Sequence, residues 1–123
     1  MIAIEDERFY DHSGIDYKSL VRVAFKTILM QDQSAGGGST ISQQLAKNLY
    51  PRGKSRKLNL AISKFKEMII ASRLESMYSK QEILMLYLNT VSFGDNTFGI
   101  ESASLKFFNK SAKELELQES ATL

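Results

Sequence analysis

Residues 57–78 read KLNLAISKFKEMIIASRLESMY, which is the longest uninterrupted helical pattern in the chain. The stretch contains no proline or glycine, and its apolar residues recur at helical spacing rather than in strict alternation. One apolar face carries Leu58, Ile62, Phe65 and Ile69, and a second carries Leu60, Ala71, Leu74 and Tyr78. Because a helix that is apolar on two sides needs partners on both, we expect it at the centre of the domain.

Two charged residues of this helix, Lys64 and Glu67, lie within the second apolar face. A charge on an apolar face must be paired, shifted in pKa or placed at a cleft. Two interpretations stay open, a structural ion pair at spacing i,i+3 and a functional site.

The segments around this helix also predict helices. Asp16 is a suitable N-cap for a helix to about Met30. Three capping boxes, at 40–43, 79–82 and 111–114, predict a helix to about Tyr50, another to about Asn89 and the last helix of the chain. A further helix is expected over about 98–108, with loops at 31–38, 51–55 and 90–97. We therefore predict one mostly α domain over residues 1–123.

Composition excludes several classes of protein. With 123 residues, no cysteine and one histidine, the chain has no disulfide, thiolate nucleophile or histidine-rich metal site. A net charge of +2 does not favour nucleic acid as a partner. No apolar run reaches the length of a membrane span, and no secretory signal is visible. The abrupt start before Glu5 and the end inside an apparent helix suggest a domain truncated at both ends.

The middle of the chain is basic and is preceded by a glycine-rich run. Its cations are Lys47, Arg52, Lys54, Arg56, Lys57, Lys64 and Lys66, with no acid before Glu67. Residues 36–40, GGGST, stand ahead of a helix, where glycines let the backbone approach an anion. The pattern is not a phosphate loop of nucleotide-binding proteins, because the Gly-Lys-Ser/Thr ending is missing. A solvated basic face and a flexible loop with a helix cap are the alternatives.

The acidic pair Glu5-Asp6, with Phe9, Tyr10 and His12 close behind, suits a general base in a carbohydrate cleft. Adjacent acids near a helix end are more often caps or solvated charge. Together with Glu67, however, Glu5 would complete the two carboxylates that glycosyl chemistry often uses.

Five segments, in order, resemble the motifs of the peptidoglycan glycosyltransferases, glycosyltransferase family 51. Residues 5–16, EDERFYDHSGID, resemble the first motif, and residues 37–48, GGSTISQQLAKN, resemble the second almost letter for letter. Residues 64–67, KFKE, resemble the third, and 115–121 the fifth. Residues 80–89, followed by Gly94, Gly99, Ala103 and Phe108, resemble the fourth.

The resemblance implies a lysozyme-like helical fold and an inverting enzyme that polymerises lipid II into β-1,4 glycan, releasing undecaprenyl pyrophosphate. It implies work at the outer face of the bacterial cytoplasmic membrane, with a transmembrane anchor absent from this chain. The helix at 17–30 would touch the membrane surface, and the parent chain would carry a penicillin-binding transpeptidase domain.

The resemblance also assigns roles to residues. Glu5 matches the general base, and Glu67 matches a second acid that helps place the pyrophosphate through a divalent cation, Mg²⁺ or Mn²⁺. The donor and leaving-group side would be lined by Ser39, Thr40, Gln43, Lys47, Asn48, Lys64 and Lys66. The supporting positions are Asp6, Phe9, His12, Gly37 and Gly38.

Two positions depart from the family's pattern in the third motif. Ser63 stands where an arginine is usual, and Asn59 stands where the family often has another. Arg56 or Lys57 would have to supply the missing charge. A lysozyme-like glycoside hydrolase with Glu5 as acid, and a non-catalytic helical module that binds a membrane or partner, are the alternatives to polymerisation.

Overall fold

The computed structural model describes residues 1–29, 38–51 and 57–123. Residues 31–37 of the loop predicted at 31–38, which include Gly37, lie outside the described residues, and so do the basic residues Arg52, Lys54 and Arg56. The helices are α1 (Ile2–Glu5), α2 (Tyr17–Leu29), α3 (Ile41–Leu49), α4 (Lys57–Met77), α5 (Lys80–Thr90), α6 (Ile100–Phe108) and α7 (Leu117–Thr122). A 3-10 turn, Ala112–Glu114, lies between α6 and α7.

The predicted mostly helical class is confirmed. In the described ranges no strand is formed, and the only extended pairing is an isolated bridge between Ser92 and Phe98. This bridge closes the loop that joins α5 to α6, where Asp95 and Asn96 adopt left-handed backbone angles.

The predicted helix starts were confirmed where a side chain caps the backbone. Asp16 accepts a hydrogen bond from the Ser19 N–H at 3.1 Å, at the start of α2. Ser79 and Glu82 form the complete capping box of α5, since Glu82 Oε2 accepts from the Ser79 N–H at 2.7 Å and Ser79 Oγ accepts from the Glu82 N–H at 3.3 Å. Such caps satisfy backbone donors that a helix terminus leaves unpaired.

The capping box predicted at Thr40 is only half formed. Thr40 Oγ1 accepts from the Gln43 N–H at 3.2 Å. The Gln43 side chain does not return to Thr40 but donates to the Gly14 carbonyl at 3.4 Å. A tertiary contact therefore replaces the local one.

We predicted that the capping box at Ser111 opens the last helix, but this prediction is wrong. The box closes the single 3-10 turn, in which the Ser111 N–H donates to Glu114 Oε2 at 3.1 Å. Leu115 and Glu116 then adopt extended angles that prevent the turn from propagating, and α7 begins at Leu117. Helix α6 likewise begins at Ile100 instead of Phe98, after Gly99 with a φ of +82°.

Helix α3 lies at the centre of the core, with five buried residues among its nine. The core cluster comprises Phe9, Ile41, Leu45, Ile83 and Tyr87. It joins the segment after α1 to α3 and α5.

The prediction that α4 is buried on two sides is wrong. Among its residues with described side chains, 60–77, the buried positions are Glu67 and Ala71, while Ile62, Phe65 and Ile69 are more than half exposed. The second face packs toward the core through Ala71 and Leu74, whereas the described residues of the first face remain largely exposed. Gly14 packs directly on the backbone of α4, and a Cβ at this position would lie 2.7 Å from the Ala71 carbonyl carbon.

Candidate active site

The segment after α1 is anchored through the buried carboxylate of Asp6. Asp6 Oδ2 accepts the N–H of Ile41, the first residue of α3, at 2.9 Å. His12 Nε2 lies 3.0 Å from both oxygens of Asp6, and the Gly14 N–H donates to His12 Nδ1 at 3.1 Å. Because Nδ1 accepts, the ring proton is on Nε2 and is donated to Asp6.

A second buried carboxylate, Glu75 of α4, links α4 to α3 and α5. It accepts from Ser42 Oγ at 2.5 Å and pairs with Lys80 Nζ at 2.7 Å. Lys80 in turn holds the segment after α1, since it donates to the His12 carbonyl at 2.6 Å and lies 4.5 Å from the centre of the Phe9 ring. The largely buried side chains of Asp6, Phe9 and His12 thus support the segment that carries Glu5.

Arg8 and Asp16 form a third link, at the start of α2. The guanidinium contacts both carboxylate oxygens of Asp16, at 2.7 and 2.9 Å. Burial raises the pKa of Asp16, but hydrogen bonds from Arg8 and Ser19 outweigh it and hold that pKa far below its usual value.

Glu5, at the end of α1, is exposed beside this framework. Its Oε2 accepts from Gln44 Nε2 at 3.0 Å. A cavity of about 90 Å³ opens at Glu5 and is lined also by Asp6, Glu7, Arg22, Ser39 and Thr40. A carboxylate in this position can accept a proton from a hydroxyl group that enters the cavity.

Ser39 connects this cavity with the charged pair of α4. Lys64 Nζ donates to Ser39 Oγ at 2.8 Å and to Glu67 Oε2 at 3.1 Å. Glu67 is 4% exposed, yet it lines a second cavity of about 320 Å³ together with Tyr50, Ser63 and Lys66. The ion pair considered from the sequence is therefore formed, and it stands at the wall of a cleft as well.

The other predicted site residues occupy different environments. Lys47, Asn48 and Lys66 are exposed, and Gly38 is partly buried against Val23 of α2. Thr40 is buried but contributes to the cavity at Glu5. Gln43 is buried in the core and lines neither cavity, so its predicted substrate role has no geometric counterpart among the described residues.

Two residues next to Glu5 were given no role from the sequence. Gln44 contacts Glu5 directly, and Tyr87 donates its hydroxyl hydrogen to Gln44 Oε1 at 3.0 Å. Both lie in segments that resemble family motifs, which was the available signal. Their contact joins positions 43 residues apart, and spacing within one helix does not predict it.

The family described as Transglycosylase matches residues 1–123, the whole chain. This chain belongs to the transglycosylase family. "Penicillin-binding protein 1F" of Bacillus subtilis is 47% identical over 122 residues, covering 99% of this chain and 16% of the relative. "Biosynthetic peptidoglycan transglycosylase" of Nitrosomonas eutropha is 44% identical over 123 residues, covering 100% and 48%.

A third relative is "Monofunctional glycosyltransferase" of Staphylococcus aureus, 44% identical over 110 residues, with 87% of this chain and 38% of the relative covered. This transglycosylase chain spans less than half the length of the curated relatives it matches here. Their names describe penicillin-binding proteins and glycosyl transfer, so the hydrolase and the non-catalytic module are not favoured.

Proposed function

We propose that this chain is the catalytic portion of a glycosyltransferase that polymerises lipid II into β-1,4 glycan strands of peptidoglycan, with inversion and release of undecaprenyl pyrophosphate. The observation that carries the proposal is the hydrogen-bonded series from Ser39 through Lys64 to Glu67. Ser39 also lines the cavity of Glu5, so this one residue joins the cavity of the proton acceptor to a cation.

Glu5 is the proposed general base. The 4-hydroxyl of the incoming sugar is a weak nucleophile until a base removes its proton during attack. A positioned base of this kind contributes about 100- to 10,000-fold to the rate. Exposure of Glu5 beside a cavity gives a sugar hydroxyl access to it, while the bond from Gln44 holds one carboxylate oxygen.

The leaving group accounts for the cations. Pyrophosphate departs with increasing negative charge, which fixed positive charges stabilise in the transition state. Lys64 is held by Ser39 and Glu67, and the exposed Lys47 and Lys66 stand on the neighbouring helices α3 and α4. Side chains at 52–59, including Asn59 and the proposed substitutes Arg56 and Lys57, are not described.

A divalent cation, Mg²⁺ or Mn²⁺, is a further part of the proposal. The described residues contain no group of three acidic or histidine side chains that would hold a metal alone. Mg²⁺, however, is commonly bound by one or two carboxylates together with substrate phosphates, and Glu67 is the carboxylate at the proposed pyrophosphate site. The ion would supply further charge neutralisation there.

Helix α2 is the proposed contact with the membrane surface at the outer face of the bacterial cytoplasmic membrane. Tyr17, Val21 and Phe25 recur at spacing four and are exposed, with Lys18 and Arg22 beside them. An apolar stripe flanked by cations suits the boundary of an anionic bilayer. Within the described ranges, no helix is long and apolar enough to cross a membrane.

A penicillin-binding transpeptidase domain in the parent chain is proposed from the names of the relatives.

The central test replaces Glu5 by glutamine in the full-length protein and measures glycan chains made from lipid II. We expect Glu5→Gln to abolish polymerisation while the far-ultraviolet circular dichroism stays unchanged, because the amide keeps the shape but cannot take the proton. Asp11→Asn is the matched control, since Asp11 is an exposed acid on the same segment. Glycan synthesis by Glu5→Gln at the parent rate would show that the base is another residue.

A further inference from the structure

Glu5 stands at the end of a chain of two hydrogen bonds that begins in the core. Tyr87, on α5, is 4% exposed and donates to Gln44 Oε1 at 3.0 Å. Gln44, on α3, donates from Nε2 to Glu5 Oε2 at 3.0 Å. Three separate elements, α1, α3 and α5, therefore meet through one side-chain amide.

The orientation of the Gln44 amide decides whether a hydrogen-bond donor or an acceptor faces Glu5. A glutamine side chain presents an acceptor oxygen on one side and a donor nitrogen on the other. With the Tyr87 hydroxyl donating to the oxygen, the nitrogen faces Glu5 and stabilises its carboxylate. If the amide were reversed, its oxygen would face the carboxylate, and the hydrogen bond that holds Glu5 would be lost.

Tyr87 keeps the hydrogen that this orientation needs. Burial and, to a smaller extent, the negative charge of Glu5 raise the pKa of Tyr87 above its usual value. The phenol therefore remains protonated and acts as the donor. Its ring belongs to the core cluster with Ile41 and Leu45, so the hydroxyl is fixed by packing.

We propose that Gln44 and Tyr87 are positioning residues for the general base, holding the Glu5 carboxylate in one orientation. This inference rests on the proposed function. Gln44 engages Oε2, and Oε1 is the oxygen that takes the proton from the attacking hydroxyl. Neither residue touches the reacting atoms; both act through Glu5.

Four charged side chains lie around Glu5. Asp6, Glu7, Asp16 and Arg22 line the same cavity, whereas α3 and α5 present the neutral groups Gln44 and Tyr87. Because the variants below leave all four charged groups in place, a change in kcat reports on the hydrogen-bond chain.

The first experiment measures polymerisation of lipid II by the full-length Tyr87→Phe protein. Loss of the hydroxyl leaves Gln44 Oε1 without its donor, so the amide is no longer held facing Glu5, and we expect kcat to fall about tenfold with KM for lipid II unchanged. The fall should be confined to kcat because the two residues orient Glu5 and do not touch lipid II. Tyr10→Phe removes the same atom from an exposed ring and should match the parent.

A second variant keeps the test independent of damage to the core. Gln44→Met retains the length of a partly exposed side chain without its N–H group. It should reproduce the fall in kcat with KM unchanged. Because the two residues act in series, the double variant Tyr87→Phe/Gln44→Met should lose no more than Gln44→Met alone.

The results separate this inference from the proposed function. An inactive Glu5→Gln protein together with a Tyr87→Phe protein of parental kcat would overturn the positioning role and leave the base intact. Multiplying losses in the double variant, or a loss confined to KM, would overturn it as well. A Glu5→Gln protein with parental activity would instead remove the base itself.

Discussion

Replacing Asp6 by asparagine removes the charge that fastens the segment carrying Glu5 to α3. In the parent, the carboxylate accepts hydrogen bonds from the Ile41 N–H and from His12 Nε2, and both of its oxygens are engaged. Asparagine offers one oxygen, so its NH₂ group must face one of these two donors.

The expected cost follows from the two interactions that change. A hydrogen bond to a charged group contributes about 1.5–3 kcal/mol, and a carboxylate at a helix N-terminus about 0.3–1 kcal/mol. Since Asp6 is 7% exposed, solvent does not replace the lost partner. We expect Asp6→Asn to lower the free energy of unfolding by about 2–4 kcal/mol.

Urea unfolding of the purified protein, followed by far-ultraviolet circular dichroism, measures this loss as a lower midpoint with an unchanged slope. Asp11→Asn, at an exposed position of the same segment, should stay within about 0.5 kcal/mol of the parent. If Asp6→Asn unfolded at the same midpoint as Asp11→Asn, the anchoring role of the buried carboxylate would be refuted.

Two further predictions concern two other buried carboxylates, Glu67 and Asp16. Glu67→Gln should lose most of the polymerising activity if Glu67 places the pyrophosphate; an unchanged rate with a lower melting temperature would leave only the ion pair with Lys64. The lowered pKa of Asp16 predicts stability that is present above its ordinary pKa of about 3.9 and is lost as the pH falls below it. The urea midpoint measured from pH 5 to pH 2 should therefore fall less steeply in Asp16→Asn than in the parent.

Local signals predicted much of the fold. The caps at Asp16 and Ser79 need only residues three positions apart, and the structure forms both. The ends of α4 and α5 were predicted within one residue, because polar caps and apolar periodicity agree there. Where the geometry of the chain interrupts a local signal, as in the extended residues after the Ser111 turn, the prediction was wrong.

The environment of a helix face could not be predicted in the same way. Periodicity identified Ile62, Phe65 and Ile69 as one apolar face of α4, but it does not tell whether another element covers that face. The same limit applies to Gln43, to which the family resemblance gave a binding role: its contact with the Gly14 carbonyl joins positions 29 residues apart.

The family motifs identified residues of the candidate site but not the contacts between distant residues. The sequence resemblance selected Glu5 and Glu67 as residues, and Lys64 next to Glu67 follows from helical spacing. The contacts of Ser39 with Lys64, and of Tyr87 with Gln44, join different helices or loops. Such contacts depend on how the elements pack, so they became visible only in the folded chain.

Asp6 and Glu5 are neighbours in sequence but differ in exposure, and we therefore expect different roles for the two carboxylates. Asp6 is buried and fixed to α3, whereas Glu5 faces the cavity at the end of α1. A base must be accessible to its substrate, yet it must also be held in a productive position. Because one peptide unit links the two residues, the buried carboxylate limits the movement of the exposed one. Asp6 thus anchors the segment, Glu5 is left for the proposed proton transfer, and the hydrogen bond from Gln44 further restrains Glu5.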